Sequence, residues 1–168
     1  MAIEITKGTA ADLDRFADLL LEVRGSMDNK EWLYVDPREE LREQMESGIM
    51  ELWLAKDGQR IAGGFDILFP GLRPFNYGYL LDFSREELMR VVNMDSVAVH
   101  PDYRGQGLHR KFLETIESWV RGLGPRILLC TIHPDNIFSL NNALKMGYQI
   151  QKRLALYDSE RYVLRKDI

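Results

Sequence analysis

Apolar positions along the chain recur with two periods. Ile3 and Ile5 alternate with polar neighbours, as in a short strand, and then Leu13, Phe16, Ala17, Leu20 and Val23 recur at helical spacing. Gly25 to Val35 reads as a loop. Asp36-Pro37-Arg38-Glu39 opens a second helix. There Asp36 is placed to cap, Pro37 loses nothing by lacking an N–H in the first turn, and Glu39 reaches back. Leu41 and Met45 are that helix's apolar stripe. Strands follow at Met50 to Ala55 and Arg60 to Leu68, and Asp57-Gly58 between them is a hairpin signal because such turns take positive φ. Residues 69 to 90 are less regular. Pro70, Gly71 and Pro74 interrupt them, and Ser84 with Glu87 caps a short helical turn.

The second half is more sharply patterned. A strand from Arg90 to Val99 passes through a turn, His100 to Arg104, into a helix striped by Leu108, Phe112, Ile116, Trp119, Val120 and Leu123. Gly122, Gly124 and Pro125 stop it. Ile127 to Ile132 is a short apolar strand, buried on both faces. Asn136 to Met146 is a helix with Ile137, Leu140 and Leu144 inward, ended by Gly147 as a left-handed cap. Tyr148 to Leu156 and Arg161 to Lys166 form a closing hairpin. The order βααββ, insert, βαβαββ predicts an α/β (α+β) fold. Its central sheet is mixed and mostly antiparallel, with one parallel crossover and helices on both faces.

Composition narrows the class. At 168 residues the chain is read as one domain, 1–168, and its hydrophobic fraction of 45% is that of a soluble globular protein. No apolar run reaches membrane-spanning length, and Met1-Ala2-Ile3-Glu4 lacks a basic stretch followed by an apolar one. The expected location is therefore cytoplasmic, and the lone Cys130 agrees with a reducing compartment. A net charge of −4 argues against a nucleic-acid partner. His100, His109 and His133 have no metal-ligand spacing, so no metal is expected.

The chemistry concentrates in Val97-Ala98-Val99-His100-Pro101-Asp102-Tyr103-Arg104-Gly105-Gln106-Gly107-Leu108-His109. A strand runs through a glycine-bearing turn into the first turn of an amphipathic helix. The leading N–H groups of a helix lack internal partners and carry partial positive charge. Gly105 and Gly107 remove side chains that would hold an anion away from them. The expected result is a pyrophosphate cradle, with Arg104, Arg110 and Lys111 at hand. The glycine pair alone equally fits a plain turn. The P-loop ending is absent, and a dinucleotide fingerprint would need glycine at Arg110.

This segment closely resembles the acetyl-CoA motif of the GCN5-related N-acetyltransferases (GNAT superfamily), and Asn136-x-x-Ser139 leading to Lys145-Met146-Gly147-Tyr148 resembles their second motif. The resemblance implies a GNAT-like acyl-CoA acyltransferase fold that takes acetyl-CoA as co-substrate. It also implies transfer of the acetyl group to an amine of a small molecule or peptide by direct transfer in a ternary complex. Val97, Ala98 and Val99 would pair with the pantetheine arm, and the amides of Gly105, Gln106, Gly107, Leu108 and His109 would hold the pyrophosphate, with Arg104 beside them. Asn136 would hydrogen-bond the pantetheine side, and Ser139 lies one turn further on. Homodimers are common in the family.

Two positions depart from the family pattern. Gly or Ala is usual where His109 stands; a histidine there crowds the phosphate site, points away, or donates to a phosphate. Ala143 occupies the place where many members carry the tyrosine that protonates the departing thiolate, and Tyr157 or water is left to substitute. Asp95 is the candidate base, set against a carboxylate that merely faces a loop. His133 ends a strand before proline, which is commonly structural, and Cys130 reads as core packing. Trp32, Tyr77 and Tyr79, with Tyr34, Phe75 and Phe83, either line the acceptor site or pack the insert. The rival classes are a non-catalytic acyl-CoA-binding or sensing domain of the same fold, and an unrelated nucleotide-phosphate binder.

Overall fold

Seven strands lie in the order β1-β2-β3-β4-β5-β7-β6 within one sheet, as the computed structural model shows for residues 2–168. The strands are β1 (Glu4–Lys7), β2 (Met50–Asp57), β3 (Arg60–Leu68), β4 (Val91–Val99), β5 (Ile127–Ile132), β6 (Gln149–Leu156) and β7 (Ser159–Asp167). The helices are α1 (Leu13–Ser26), α2 (Arg38–Glu46), α3 (Arg85–Arg90), α4 (Leu108–Arg121) and α5 (Ile137–Lys145). β1 with β2, β5 with β7 and β6 with β7 run antiparallel, whereas β4 with β5 runs parallel. The residues group into two compact units, one of residues up to Ile67 with Ser96–Ile116, the other Leu68–Asp95 with Glu117–Ile168.

In the first unit the stripe of α1 is buried as its spacing predicts. Phe16, Leu19, Leu20 and Val23 pack with Leu52, Leu54, Ile61 and Ala98, and Met27, Leu33, Val35 and Met45 cover the cluster. Gly64 makes this possible, since a Cβ there would come within 2.5 Å of the Phe16 ring. The start of α2 differs from expectation. Pro37 occupies the cap position and no side chain caps the helix, so Asp36 does not serve as predicted.

In the second unit Tyr77, Val91, Ile127 and Leu129 form the core, with Leu80, Leu81, Phe83 and Leu156 against them. Ser84 and Glu87 close the predicted capping box at the start of α3. A buried ionic group ties α4 to β7. Lys166 Nζ lies 2.5 Å from Glu117 Oε1 and donates to the Met146 carbonyl at 2.6 Å, and the Tyr148 hydroxyl donates to Glu117 Oε2 at 3.1 Å. Gly147 (φ +93) ends α5 as predicted, with the Tyr148 amide bonded back to the Ala143 carbonyl. The inward stripe of α5 is Leu140 and Ala143, however, while Ile137 and Leu144 are exposed, as is Leu123 beyond the end of α4. The apolar spacing 137–140–144 and the spacing 136–140–143 are both helical. Burial of the Asn136 cap selects the second.

Candidate active site

The turn between β4 and α4 is held by its side chains. His100 Nδ1 accepts from the Asp102 amide at 3.1 Å, so the proton sits on Nε2, which donates to Glu22 at 3.0 Å. The Tyr103 hydroxyl donates to Asp57 at 2.7 Å, a bond that pushes the phenol above its usual range. Arg60 lies over the Tyr103 ring at 5.1 Å and bonds Asp102. Arg104 donates to the Ser26 hydroxyl at 3.1 Å, and Arg110 pairs with Glu114 at 2.8 Å one helical turn on. Both arginines are exposed, so these contacts are weak and readily exchanged.

Beyond this turn, Gly105 (φ +78) and Gly107 (φ +72) adopt the left-handed conformation, and nothing lies within 4 Å of where a Cβ would stand on either. The Lys111 amide bonds the Gly107 carbonyl. Leu108 and Arg110 precede Lys111, so their amides belong to the leading group that lacks a carbonyl one turn back. The result is an open, amide-lined bend at the positive end of a helix, which fits a pyrophosphate. His109 does not crowd it. Its ring turns onto Phe65, with centroids 6.3 Å apart, and burial depresses its pKa to about 4, so it is neutral near pH 7. Of the three dispositions open to it, pointing away is the one observed.

β4 and β5 part early. Their parallel pairing runs from Val91↔Ile127 to Asn93↔Leu129, while β5 stays paired with β7 through Cys130, Thr131 and Ile132. At the parting, Asn93 is 1% exposed and anchors the insert, accepting from the Tyr77 amide at 3.2 Å and donating to the Phe75 carbonyl at 3.0 Å. Asn76 caps the tight turn Tyr77–Leu81, accepting from the Gly78 amide at 2.7 Å, and donates to the Gly71 and Leu88 carbonyls at 2.7 and 3.0 Å. Both asparagines escape a reading by hydrophobic period. The available signal is an amide side chain set inside the apolar run Val91-Val92-Asn93-Met94.

These anchors set the Tyr77 hydroxyl against Asp95, to which it donates at 3.2 Å, and 3.0 Å from the Tyr157 hydroxyl. Burial, then the Asp95 charge, raise Tyr77 well above the ordinary phenol range. Three groups from separate segments thus form one hydrogen-bonded chain. Along β4, Asp95, Val97 and Val99 are half-buried while Ser96 and Ala98 are buried, the alternation of a strand with one occupied face.

The remaining expected residues are placed as follows. Trp32 ends the short turn Lys30–Trp32, half-buried. Tyr79 is exposed, its hydroxyl donating to the Leu72 carbonyl at 2.7 Å. Asn136 caps α5 by accepting from the Ser139 amide at 3.4 Å, which occupies its carbonyl oxygen and leaves the side-chain NH₂ as donor. His133 shapes the preceding turn, its Nδ1 accepting from the Asp135 amide. Burial and the Glu117 charge push the Cys130 thiol up to about 12, so it is not a nucleophile near neutral pH. Among the described residues no group of three His, Cys, Asp or Glu is placed to hold a metal ion, and no helix is long and apolar enough to cross a membrane.

Residues 15–148 match the acetyltransferase (GNAT) family. The chain belongs to that family and is an acyltransferase by class. Solved structures share its fold at low identity. An acetyltransferase of the GNAT family from Streptococcus pneumoniae is 19% identical over 99% of this chain and 100% of that one, with a TM-score of 0.74. Arabidopsis thaliana NAA60 in complex with acetyl-CoA is 14% identical over 99% of each chain, with a TM-score of 0.77. An IAA acetyltransferase from Bacillus cereus is 14% identical over 99% of this chain and 100% of that one, with a TM-score of 0.66. No curated protein sequence matches the chain significantly.

Proposed function

We propose that this chain transfers an acetyl group from acetyl-CoA directly to an amine of a small molecule or peptide. The open left-handed bend at Gly105 and Gly107, leading into the start of α4, carries the reading. Its amides suit the pyrophosphate of the co-substrate, which brings an acetyl group activated as a thioester. With His109 turned onto Phe65 and neutral, the anion is held by backbone N–H groups together with Arg104.

Asp95 is the proposed base. An alkylamine with a pKa of about 10.4 is almost wholly protonated at neutral pH and cannot attack until that proton is removed. Asp95 sits at the point where β4 leaves β5, with one oxygen oriented by the Tyr77 hydroxyl. Tyr77 meets the site through its hydroxyl, its ring being part of the core. Trp32 and Tyr79 remain the proposed contacts for the acceptor.

The test is calorimetric titration of acetyl-CoA, CoA, ATP and NAD into the protein. Thiol release is then followed with spermidine, lysine and short peptides with free amino termini. Micromolar acetyl-CoA binding with ATP and NAD silent, and release that depends on an added amine, is the expected result. Acetyl-CoA binding without release from any amine would favour a sensing role. Binding of ATP or NAD alone would overturn the reading.

A further inference from the structure

Tyr157 is held in a conformation that its side chain disfavours. Tyr157 and Asp158 form the two-residue turn between β6 and β7 at φ 56 and 59, where glycine and asparagine are the usual occupants. Left-handed backbone at a bulky residue tends to persist where the aim of the side chain matters. Here the aim is the Tyr77 hydroxyl, 3.0 Å away, which donates in turn to Asp95. Tyr157 is 37% exposed and Tyr77 only 6%, so the chain of hydroxyls runs from the surface through a buried phenol to the half-buried Asp95 carboxylate. The Arg161 guanidinium, on a residue 4% exposed, lies 5.8 Å from the Tyr157 ring centroid. Position 143, meanwhile, offers only a buried alanine.

We propose that Asp95, Tyr77 and Tyr157 form a single proton path serving both ends of the transfer, with Tyr157 as the acid missing at position 143. The inference rests on the acetyl-transfer reading above. In the resting chain Tyr157 donates to Tyr77 and Tyr77 to Asp95. As the N–C bond forms, Asp95 takes the amine proton. The two hydroxyls then reverse, Asp95 giving its proton to Tyr77 and Tyr77 giving its own to Tyr157. As the C–S bond breaks, its electron pair leaves on sulfur, which takes the Tyr157 proton. The amine has lost one proton, the thiol has gained one, and all three side chains return to their starting state.

The test compares Tyr77→Phe, Tyr157→Phe and the double variant for turnover, with acetyl-CoA binding by calorimetry alongside. Each single variant is expected to lose about 10²-fold in kcat, with acetyl-CoA affinity unchanged. The double variant should lose no more than either single, because one path is cut once or twice with the same result. Full turnover in Tyr157→Phe, or losses that multiply in the double variant, would overturn the path while leaving acetyl transfer intact. Wild-type protein that bound no acetyl-CoA would overturn acetyl transfer and the path together. A second readout needs no ligand: alkaline titration of the free protein by phenolate absorbance. Asp95→Asn should move one tyrosine ionisation to lower pH, since the Asp95 charge helps raise Tyr77, and should have no such effect in a Tyr77→Phe background. Equal shifts in both backgrounds would overturn the coupling.

Discussion

The bend that leads into α4 and the hydroxyl chain at Asp95 are built in opposite ways. The bend is made of backbone. The groups we propose for binding are consecutive amides, its glycines supply the geometry, and the neighbouring side chains are spent on fixing the turn. The hydroxyl chain is made of side chains drawn from residues 18 and 80 positions apart, set by buried asparagines and by an unusual hairpin. A backbone site is written as a contiguous string and tolerates side-chain change around it. A side-chain site is written nowhere in particular and fails when one member is lost.

The largest test of that contrast is Asp95→Asn. It should lower kcat by ~10²–10⁴-fold while acetyl-CoA affinity, which we assign to the bend, stays unchanged by calorimetry. Lys166→Met comes next. It leaves the Glu117 carboxylate, with a side chain 2% exposed, only the exposed Arg121 at 3.8 Å as its cation, and breaking a buried pair from one side costs roughly 3–5 kcal/mol. Urea unfolding should show that loss.

His109 gives a pH signature. Its folded-state value of about 4 lies below the ordinary 6.5, so between those values the unfolded chain binds the extra proton. Its contribution to stability is complete above pH 6.5 and is lost as pH falls towards 4, by roughly 2–3 kcal/mol at about 1.4 kcal/mol per unit. His109→Phe should flatten that slope in unfolding measured from pH 4.5 to 7, and should leave acetyl-CoA binding as it was. The smallest effect is Gly107→Ala. With open space around the new methyl, only the left-handed strain of ~1–2 kcal/mol remains. Acetyl-CoA should bind about tenfold more weakly, with kcat at saturation preserved.

The same contrast explains what the sequence disclosed. The stripes of α1 and α4, the Asp57-Gly58 hairpin, the Ser84–Glu87 capping box and the Gly147 cap were legible because each is a local pattern with a local physical cause. Two errors came from local patterns that are degenerate. In α5 the spacing could not distinguish Leu144 from Ala143 as the inward residue, and before α2 an aspartate in the right place forms no cap. The role of His109 was illegible because Phe65, its ring partner, lies 44 positions earlier. The bond from Tyr77 to Asp95 depends on Asn93 and Asn76, whose tasks become visible only once β4, the insert and α3 are packed together.

The state of Cys130 has a practical consequence. It is the chain's one cysteine, and with a thiol pushed up to about 12 only ~10⁻⁵ of it is thiolate at pH 7, the form that reacts with alkylating reagents. The natural sequence therefore serves as its own cysteine-light background. A single cysteine introduced at an exposed site such as Gln106 or Asp158 can carry a spin label or fluorophore without first removing Cys130, so reporters can be set beside the bend and on the β6–β7 hairpin in an otherwise unaltered enzyme.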